Sequence, residues 1–223
     1  MNLTKDASHD GVLIQFAEGA LHLSILEMVR ARHEEYVRRH ALDFWSIEAP
    51  GPVMTDYGWL RWQYLQDAFR AGYTHAMLLE TDTMIIDLDT DLREATRARP
   101  LAMRYGKVPG GEPDHYQTGI IYIRNDAEAR AFLAAIMALC PPNTIAEETE
   151  VWWLRRYCQQ TDANRLLHTP QWASLATRLD ARWNCLHDAV GNPEVPNPIV
   201  GGWHGIAGEA NKKQAMRRVL AAL

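Results

Sequence analysis

Two carboxylates separated by one residue, Glu80 and Asp82, close the apolar run His75 to Leu79 (HAMLL), and a second apolar run, Met84 to Ile86, follows at once. An ionised carboxylate is expensive to bury unless it is paired or bound to a metal. Residues i and i+2 of an extended chain project to the same side. Read as extended chain, Glu80-Thr81-Asp82 therefore offers two hard oxygen donors together, a set suited to Mn²⁺ or Mg²⁺. A metal held there can bind a diphosphate and neutralise charge as a phosphate leaving group departs. The competing reading of the triplet is a solvated β-turn with two ordinary acids.

The elements around the triplet alternate. Gly11 to Ala17 (GVLIQFA) reads as a buried strand, and Leu21, Ile25, Met28 and Val29 recur at helical spacing over residues 20–40. Asp43 to Ile47 is a second strand, and residues 57–71 form a helix that Gly72 ends. Strands are expected at 75–79, 84–86, 101–105 and 119–123. Asn125 and Glu128 have capping-box spacing and open a helix over 126–139. Thr144 and Glu147 repeat that spacing before a helix to about Gln159. Thr177 to Cys185 and Pro198 to Trp203 are later strands, and Asn211 to Leu223 is a short basic helix. This order predicts an α/β fold, a single domain with a mostly parallel, Rossmann-like central sheet flanked by helices. Ligands of such sheets sit at the carboxyl ends of strands. That directs attention to Glu18, to Glu80-Thr81-Asp82 and to the loop before His204.

Composition narrows the classes. The chain has 223 residues, 47% of them hydrophobic and 23% charged, the balance of a core-forming protein. A net charge of -5 argues against a bulk electrostatic grip on nucleic acid or an anionic membrane. No apolar run approaches the ~20 residues that span a bilayer, and Met1 to Asp10 has no signal-like apolar core. Cys140, Cys158 and Cys185 are widely spaced and read as buried free thiols of a reducing, cytoplasmic compartment. Eight Trp and eight Tyr suit a sugar- or base-binding cleft, with Trp152, Trp153, Trp172, Trp183 and Trp203 as a candidate stacking wall.

The pattern of apolar strand, acid-x-Asp and apolar strand resembles the D-x-D motif of GT-A-type, nucleotide-sugar-dependent glycosyltransferases, the glycogenin-like and bacterial galactosyltransferase-like group. Glu80 stands where Asp is commoner. Four further segments are similar to that family in the same order. Tyr57 to Leu65 (YGWLRWQYL) resembles the helix that offers a cation to the donor, which nominates Arg61. Tyr116 to Arg124 (YQTGIIYIR) resembles Asn-Ser-Gly followed by an apolar strand, with Gln117 in place of Asn and Gly119 as the glycine. Glu147 to Trp153 (EETEVWW) resembles the acidic segment near donor sugar and acceptor, with Glu148 and Glu150 as its acids and Thr149 replacing Gln. Ile199 to Lys213 (IVGGWHGIAGEANKK) is similar to a C-terminal His-x-x-Gly…Lys segment, one residue longer here, which nominates His204, Gly205, Gly208 and Lys212. The segment Arg182-Trp183-Asn184-Cys185 resembles a strand near the acceptor.

The resemblance implies a metal-dependent transfer of a hexosyl group from a UDP-sugar to an acceptor hydroxyl, with retention at the anomeric carbon. It implies Mn²⁺ or Mg²⁺ held by Glu80, Asp82 and His204. Ala17, Glu18, Arg61, Glu80, Thr81, Gln117, Gly119, Gly205, Gly208 and Lys212 would contact the donor. Glu148 and Glu150 would orient donor sugar and acceptor. Residues 11–105 would form the nucleotide-binding half, 106–213 the acceptor- and metal-completing half, and 211–223 a basic terminal helix. Two other functions compete. A nucleotidyltransferase also uses paired acids and a metal, but it opens with a Gly-rich phosphate loop, and only Glu18-Gly19 stands after the first strand. A non-catalytic nucleotide-sugar binder of the same fold would account for the departures at Glu80, Gln117 and Thr149.

Overall fold

The computed structural model describes residues 5–6, 8–17, 19–48, 57–106, 115–140, 152–203, 206 and 208–223, with backbone alone at Leu21, Tyr57, 152–159 and Glu209. A six-stranded sheet forms its centre. Strands β1 (Gly11–Ala17), β2 (Asp43–Glu48), β3 (His75–Leu79), β5 (Leu101–Arg104), β6 (Ile120–Arg124) and β7 (Ala176–Leu179) lie in the order β2-β1-β3-β6-β5-β7. β1 runs parallel to β2 and β3, and β5 parallel to β7, while β6 is antiparallel to both of its neighbours. A smaller sheet joins β4 (Thr83–Ile85), β9 (Val200–Gly202) and β8 (Cys185–Leu186). The α/β architecture with a mostly parallel sheet is thus as the element order predicts.

Alternation along the strands fixes the two faces. Val12, Ile14 and Phe16 of β1, Ala76 and Leu78 of β3, and Ile121 and Ile123 of β6 face one cluster. There they meet Trp62 and Leu65 of α2 (Tyr57–Arg70), Phe132 and Ile136 of α3 (Ala127–Met137), and Ala163 and Leu167 of α4 (Trp152–Leu167). Leu13, Met77, Leu79 and Tyr122 face the other way, toward Tyr36 and Val37 of α1 (Gly19–His40). A third cluster seats α5 (Glu209–Ala222) by Ala215 and Met216 against Ile25, Val29, Met84 and Trp203. Helices on both faces explain why β1 and β3 read as apolar runs without polar alternation.

Several boundaries differ from the sequence reading. The cap of α3 is Asp126, whose side chain accepts from the Ala129 N–H at 2.9 Å. Asn125 instead donates to the Tyr73 carbonyl. Helix α4 continues to Leu167, well beyond Gln159, because Ala163 and Leu167 carry its apolar stripe into the core. The stretch 177–185 is not one strand. Asp180 caps a 3-10 turn over Ala181–Asn184 by accepting from the Arg182 N–H, and this turn ends β7 and starts β8. Cys185 is a buried free thiol, whereas Cys140 is half-exposed, contrary to the expected burial. The expected cap at Thr144 and Glu147 lies outside the described residues.

Candidate functional site

The acid-bearing triplet sits at the carboxyl end of β3, beside the carboxyl end of β1. It is not extended. The Thr83 N–H donates to the Glu80 carbonyl at 3.1 Å, and the Thr83 hydroxyl donates to the same oxygen at 2.6 Å, closing a turn. The same-side argument from an extended chain is therefore corrected: a turn, not a strand, presents the two carboxylates. It is pinned from several elements. The Glu80 N–H donates to the Gly119 carbonyl at 2.9 Å, the Thr81 hydroxyl to the Phe16 carbonyl at 2.5 Å, and the Trp203 N–H to the Asp82 carbonyl at 3.0 Å.

Two cations, one on the preceding helix and one near the carboxyl end of the chain, converge on it. Arg61 of α2 places Nη2 2.5 Å from Glu80 Oε1, while its Nη1 donates to the Thr118 carbonyl at 2.6 Å and to the Thr118 hydroxyl at 3.1 Å. Lys212 of α5 places Nζ 2.5 Å from Asp82 Oδ2. The side chains of Asp82 and Lys212 are 13% and 15% exposed, and that of Arg61 is 9% exposed. At such burial ion pairs are weakly screened, unlike surface pairs. The turn is thus not a solvated one with ordinary acids.

Beneath the turn lies a buried network that the sequence reading did not single out. Gln15 of β1 is fully buried, and its Nε2 donates toward the carbonyls of Glu80 (3.0 Å), Thr81 (3.3 Å) and Thr83 (3.3 Å). Its Oε1 lies 3.0 Å from Nδ1 of the fully buried His33 on α1. The Ile85 N–H donates to His33 Nε2 at 3.2 Å. Burial, with Arg32 nearby, pushes His33 down to about 3, so the imidazole is neutral at physiological pH. A lone polar residue within GVLIQFA was the available signal.

Gln117 enters a second cluster. It is buried, and its Oε1 accepts from Asn184 Nδ2 at 3.3 Å. Among the described residues Gln117 Nε2 and Asn184 Oδ1 have no partner. Exchanging N and O in both amides would still leave one donor and one acceptor unmatched. Beside them, Arg104 donates to the Asn184 carbonyl at 2.6 Å and pairs with Glu194 at 2.8 Å.

Of the nominated residues, Arg61, Glu80, Thr81, Asp82, Gly119 and Lys212 are brought together. Ala17 ends β1 next to Phe16 and is buried. Gly208, at φ +84°, precedes α5, and its carbonyl accepts from the Lys212 N–H. Glu18, Glu148, Glu150, His204 and Gly205 lie outside the described residues. Among the described residues no three His, Cys, Asp or Glu side chains gather as a ligand set. The stacking wall is corrected at three of its five positions: Trp172 and Trp203 are buried in the core, and half-buried Trp183 packs on Tyr122 at 5.5 Å, while the side chains of Trp152 and Trp153 lie outside the described ones. The basic terminal helix is a docked element rather than a fully solvated one.

No protein-family model matches the sequence, and no curated protein does either. Solved structures do resemble it. A glycosyltransferase involved in glycosylation of the major capsid of PBCV-1 superposes with a TM-score of 0.68 at 14% identity, covering 93% of this chain and 98% of that one. The fold is that of glycosyltransferases. The apo form of the glycosyltransferase GlyE of Streptococcus pneumoniae TIGR4 gives 0.52 at 12% identity, over 96% of this chain and 63% of GlyE. The bifunctional WbbM in its apo structure gives 0.54 at 12% identity, over 97% of this chain and 52% of WbbM. The chain therefore spans less than two thirds of the length of GlyE and about half that of WbbM. No described helix is long and apolar enough to cross a membrane.

Proposed function

We propose that the chain transfers a hexosyl group from a nucleoside-diphosphate sugar, with UDP as the nucleotide, to an acceptor hydroxyl, with retention at the anomeric carbon. The carrying observation is the convergence of Arg61 and Lys212 on the two acids of one turn, at the strand ends where open α/β sheets bind ligands. The likeness of fold to glycosyltransferases agrees with this reading.

The donor set suits a hard divalent cation, two carboxylates on one turn, once their present partners Arg61 and Lys212 are drawn off to a diphosphate. Asp82 and Glu80, with His204, would hold Mn²⁺ or Mg²⁺, which when bound supplies charge neutralisation to a departing diphosphate. The chain's own groups do the rest. Arg61 offers a planar fork of donors and Lys212 a mobile point charge, both suited to phosphate oxygens. A diphosphate can take these cations over from the carboxylates, because it brings comparable negative charge to the same place. Gly119, Gly205 and Gly208 would allow backbone to approach the donor, and Ala17, Glu18 and Thr81 would border its nucleoside. The unmatched amide of Gln117 is suited to a sugar hydroxyl, which both donates and accepts. Glu148 and Glu150 would orient donor sugar and acceptor. The buried free thiol at Cys185 agrees with a reducing cytoplasm.

The test is a screen of nucleotide sugars for slow Mn²⁺-dependent hydrolysis, with UDP binding measured beside it. Hydrolysis of a UDP-sugar that Asp82→Ala abolishes is the expected result. Donor binding with no turnover under any acceptor would instead make the chain a binder. UDP affinity indifferent to Mn²⁺ would remove the metal from the reading.

A further inference from the structure

We propose that Gln15 and His33 are positioning residues for the acid-bearing turn: an amide and an imidazole that set the orientation of Glu80 and Asp82 toward cation and diphosphate without touching either. This rests on the reading of that turn as a donor site.

The argument starts from one backbone group. The Ile85 N–H can only donate, and it points at His33 Nε2 at 3.2 Å. Nε2 must therefore be the accepting nitrogen, which leaves the proton on Nδ1. Nδ1–H then donates to Gln15, so the amide atom facing it at 3.0 Å is the oxygen. The amide nitrogen of Gln15 is thereby forced toward residues 80, 81 and 83. A single peptide N–H in β4 thus fixes the tautomer of a ring on α1 and the orientation of an amide on β1. No member can be reversed without setting donor against donor or acceptor against acceptor.

The consequence at the turn is specific. The interior carbonyls of Glu80, Thr81 and Thr83 share the two N–H groups of one buried nitrogen, while the Asp82 carbonyl between them accepts from the Trp203 N–H. Carbonyls held inward are not offered to a cation, so the turn presents side-chain oxygens instead. With the carbonyls fixed, the peptide planes on either side of Glu80 and Asp82 cannot rotate freely, and the Cα–Cβ directions of both acids are set. The core packing of β1 gives no reason for an amide at position 15, because Leu13 on the same face is apolar and equally buried. The amide is explained by what it holds.

The test measures UDP affinity by calorimetry with and without Mn²⁺ on the full chain, together with the melting temperature. In Gln15→Leu we expect the Mn²⁺-dependent gain in UDP affinity to fall at least tenfold while metal-free UDP affinity stays within twofold. A loss of packing alone would lower both together. His33→Gln keeps one donor and one acceptor and should retain most of the gain, whereas His33→Leu should lose it. Should Gln15→Leu fail to fold, the two His33 variants decide. A full Mn²⁺-dependent gain in Gln15→Leu, or in His33→Leu, overturns the inference. A wild-type chain with no such gain overturns the functional reading itself, a result separable from the first because it is seen before any substitution.

Discussion

Two buried amides near the acid-bearing turn live in opposite circumstances. Gln15 is saturated: its nitrogen serves three carbonyls and its oxygen takes the proton of His33. Gln117 is half-satisfied, with its nitrogen unmatched beside an unmatched oxygen of Asn184. A buried polar group without a partner costs about 1–3 kcal/mol. A fold that spends this at Gln117 and avoids it at Gln15 separates two duties. The saturated amide belongs to scaffold and holds one conformation. On the proposed function, the unsaturated one keeps hydrogen-bonding capacity for ordered water or a sugar hydroxyl.

The contrast can be broken most forcibly at His33. His33→Leu should lower stability by about 3 kcal/mol, since it strands the Gln15 oxygen and the Ile85 N–H in the core. Chemical denaturation reads this directly. A cost below about 1 kcal/mol would show the network to be ornamental. Next in size is Asp82→Ala, which should lower Mn²⁺-dependent hydrolysis at least ~100-fold, about 2.7 kcal/mol of transition-state stabilisation, with a far smaller change in melting temperature.

Acid should sharpen the same contrast. In the unfolded chain a histidine titrates near its ordinary value of about 6.5, while burial holds His33 down to about 3 in the fold. Between those values the unfolded chain binds a proton that the folded chain refuses, so stability falls as pH drops through 6.5 toward 3. From pH 7.5 to 4.5 the loss should be about 2.7 kcal/mol, and His33→Gln should flatten it. His75 and His187, both lowered chiefly by burial, add to the same direction. A denaturation midpoint that is flat over this range in the wild type would contradict the neutral buried ring. The smallest effect belongs to Gln117→Leu. Stability should shift by less than about 1 kcal/mol, because an unmatched amide is removed along with one weak bond. Turnover of the donor should fall about tenfold. Equal turnover would assign the unmatched atoms to water.

The frame was legible in the sequence because periodicity encodes it. Val12, Ile14 and Phe16 face one cluster and Leu13 the other, and both faces are covered, so β1 reads as an unbroken apolar run. The acid triplet was legible because charge at the end of an apolar run is costly and therefore conspicuous, and Arg61 only through the resemblance of its helix to a family segment. What escaped was set by tertiary contact. Whether Glu80-Thr81-Asp82 is extended or turned depends on the Thr83 hydroxyl and on donors that arrive from β1. Helix α4 runs past Gln159 because the core receives Ala163 and Leu167, a fact its first turns do not carry. Gln15 and His33 were invisible as a pair, since one sits on a strand and the other on a helix 18 residues later. Asp126 and Asn125 are both competent caps, and the Tyr73 carbonyl decided between them by engaging Asn125.

The partners of the two acids differ greatly in chain separation, 19 residues for Arg61 and Glu80 against 130 for Lys212 and Asp82. Helix α5 holds its place through Ala215 and Met216, with Val219 and Leu220 packed beside them and Lys212 on Asp82, a one-sided grip for fourteen residues. Segments so lightly anchored open on their own, at a free energy below that of global unfolding. Each such undocking would carry Lys212 away and leave Asp82 facing solvent, while Arg61 and Glu80 stayed joined within the central sheet. The fraction of molecules competent at any instant is then governed by a helix-docking equilibrium, and amide exchange along α5 would report it before any change in the rest of the fold.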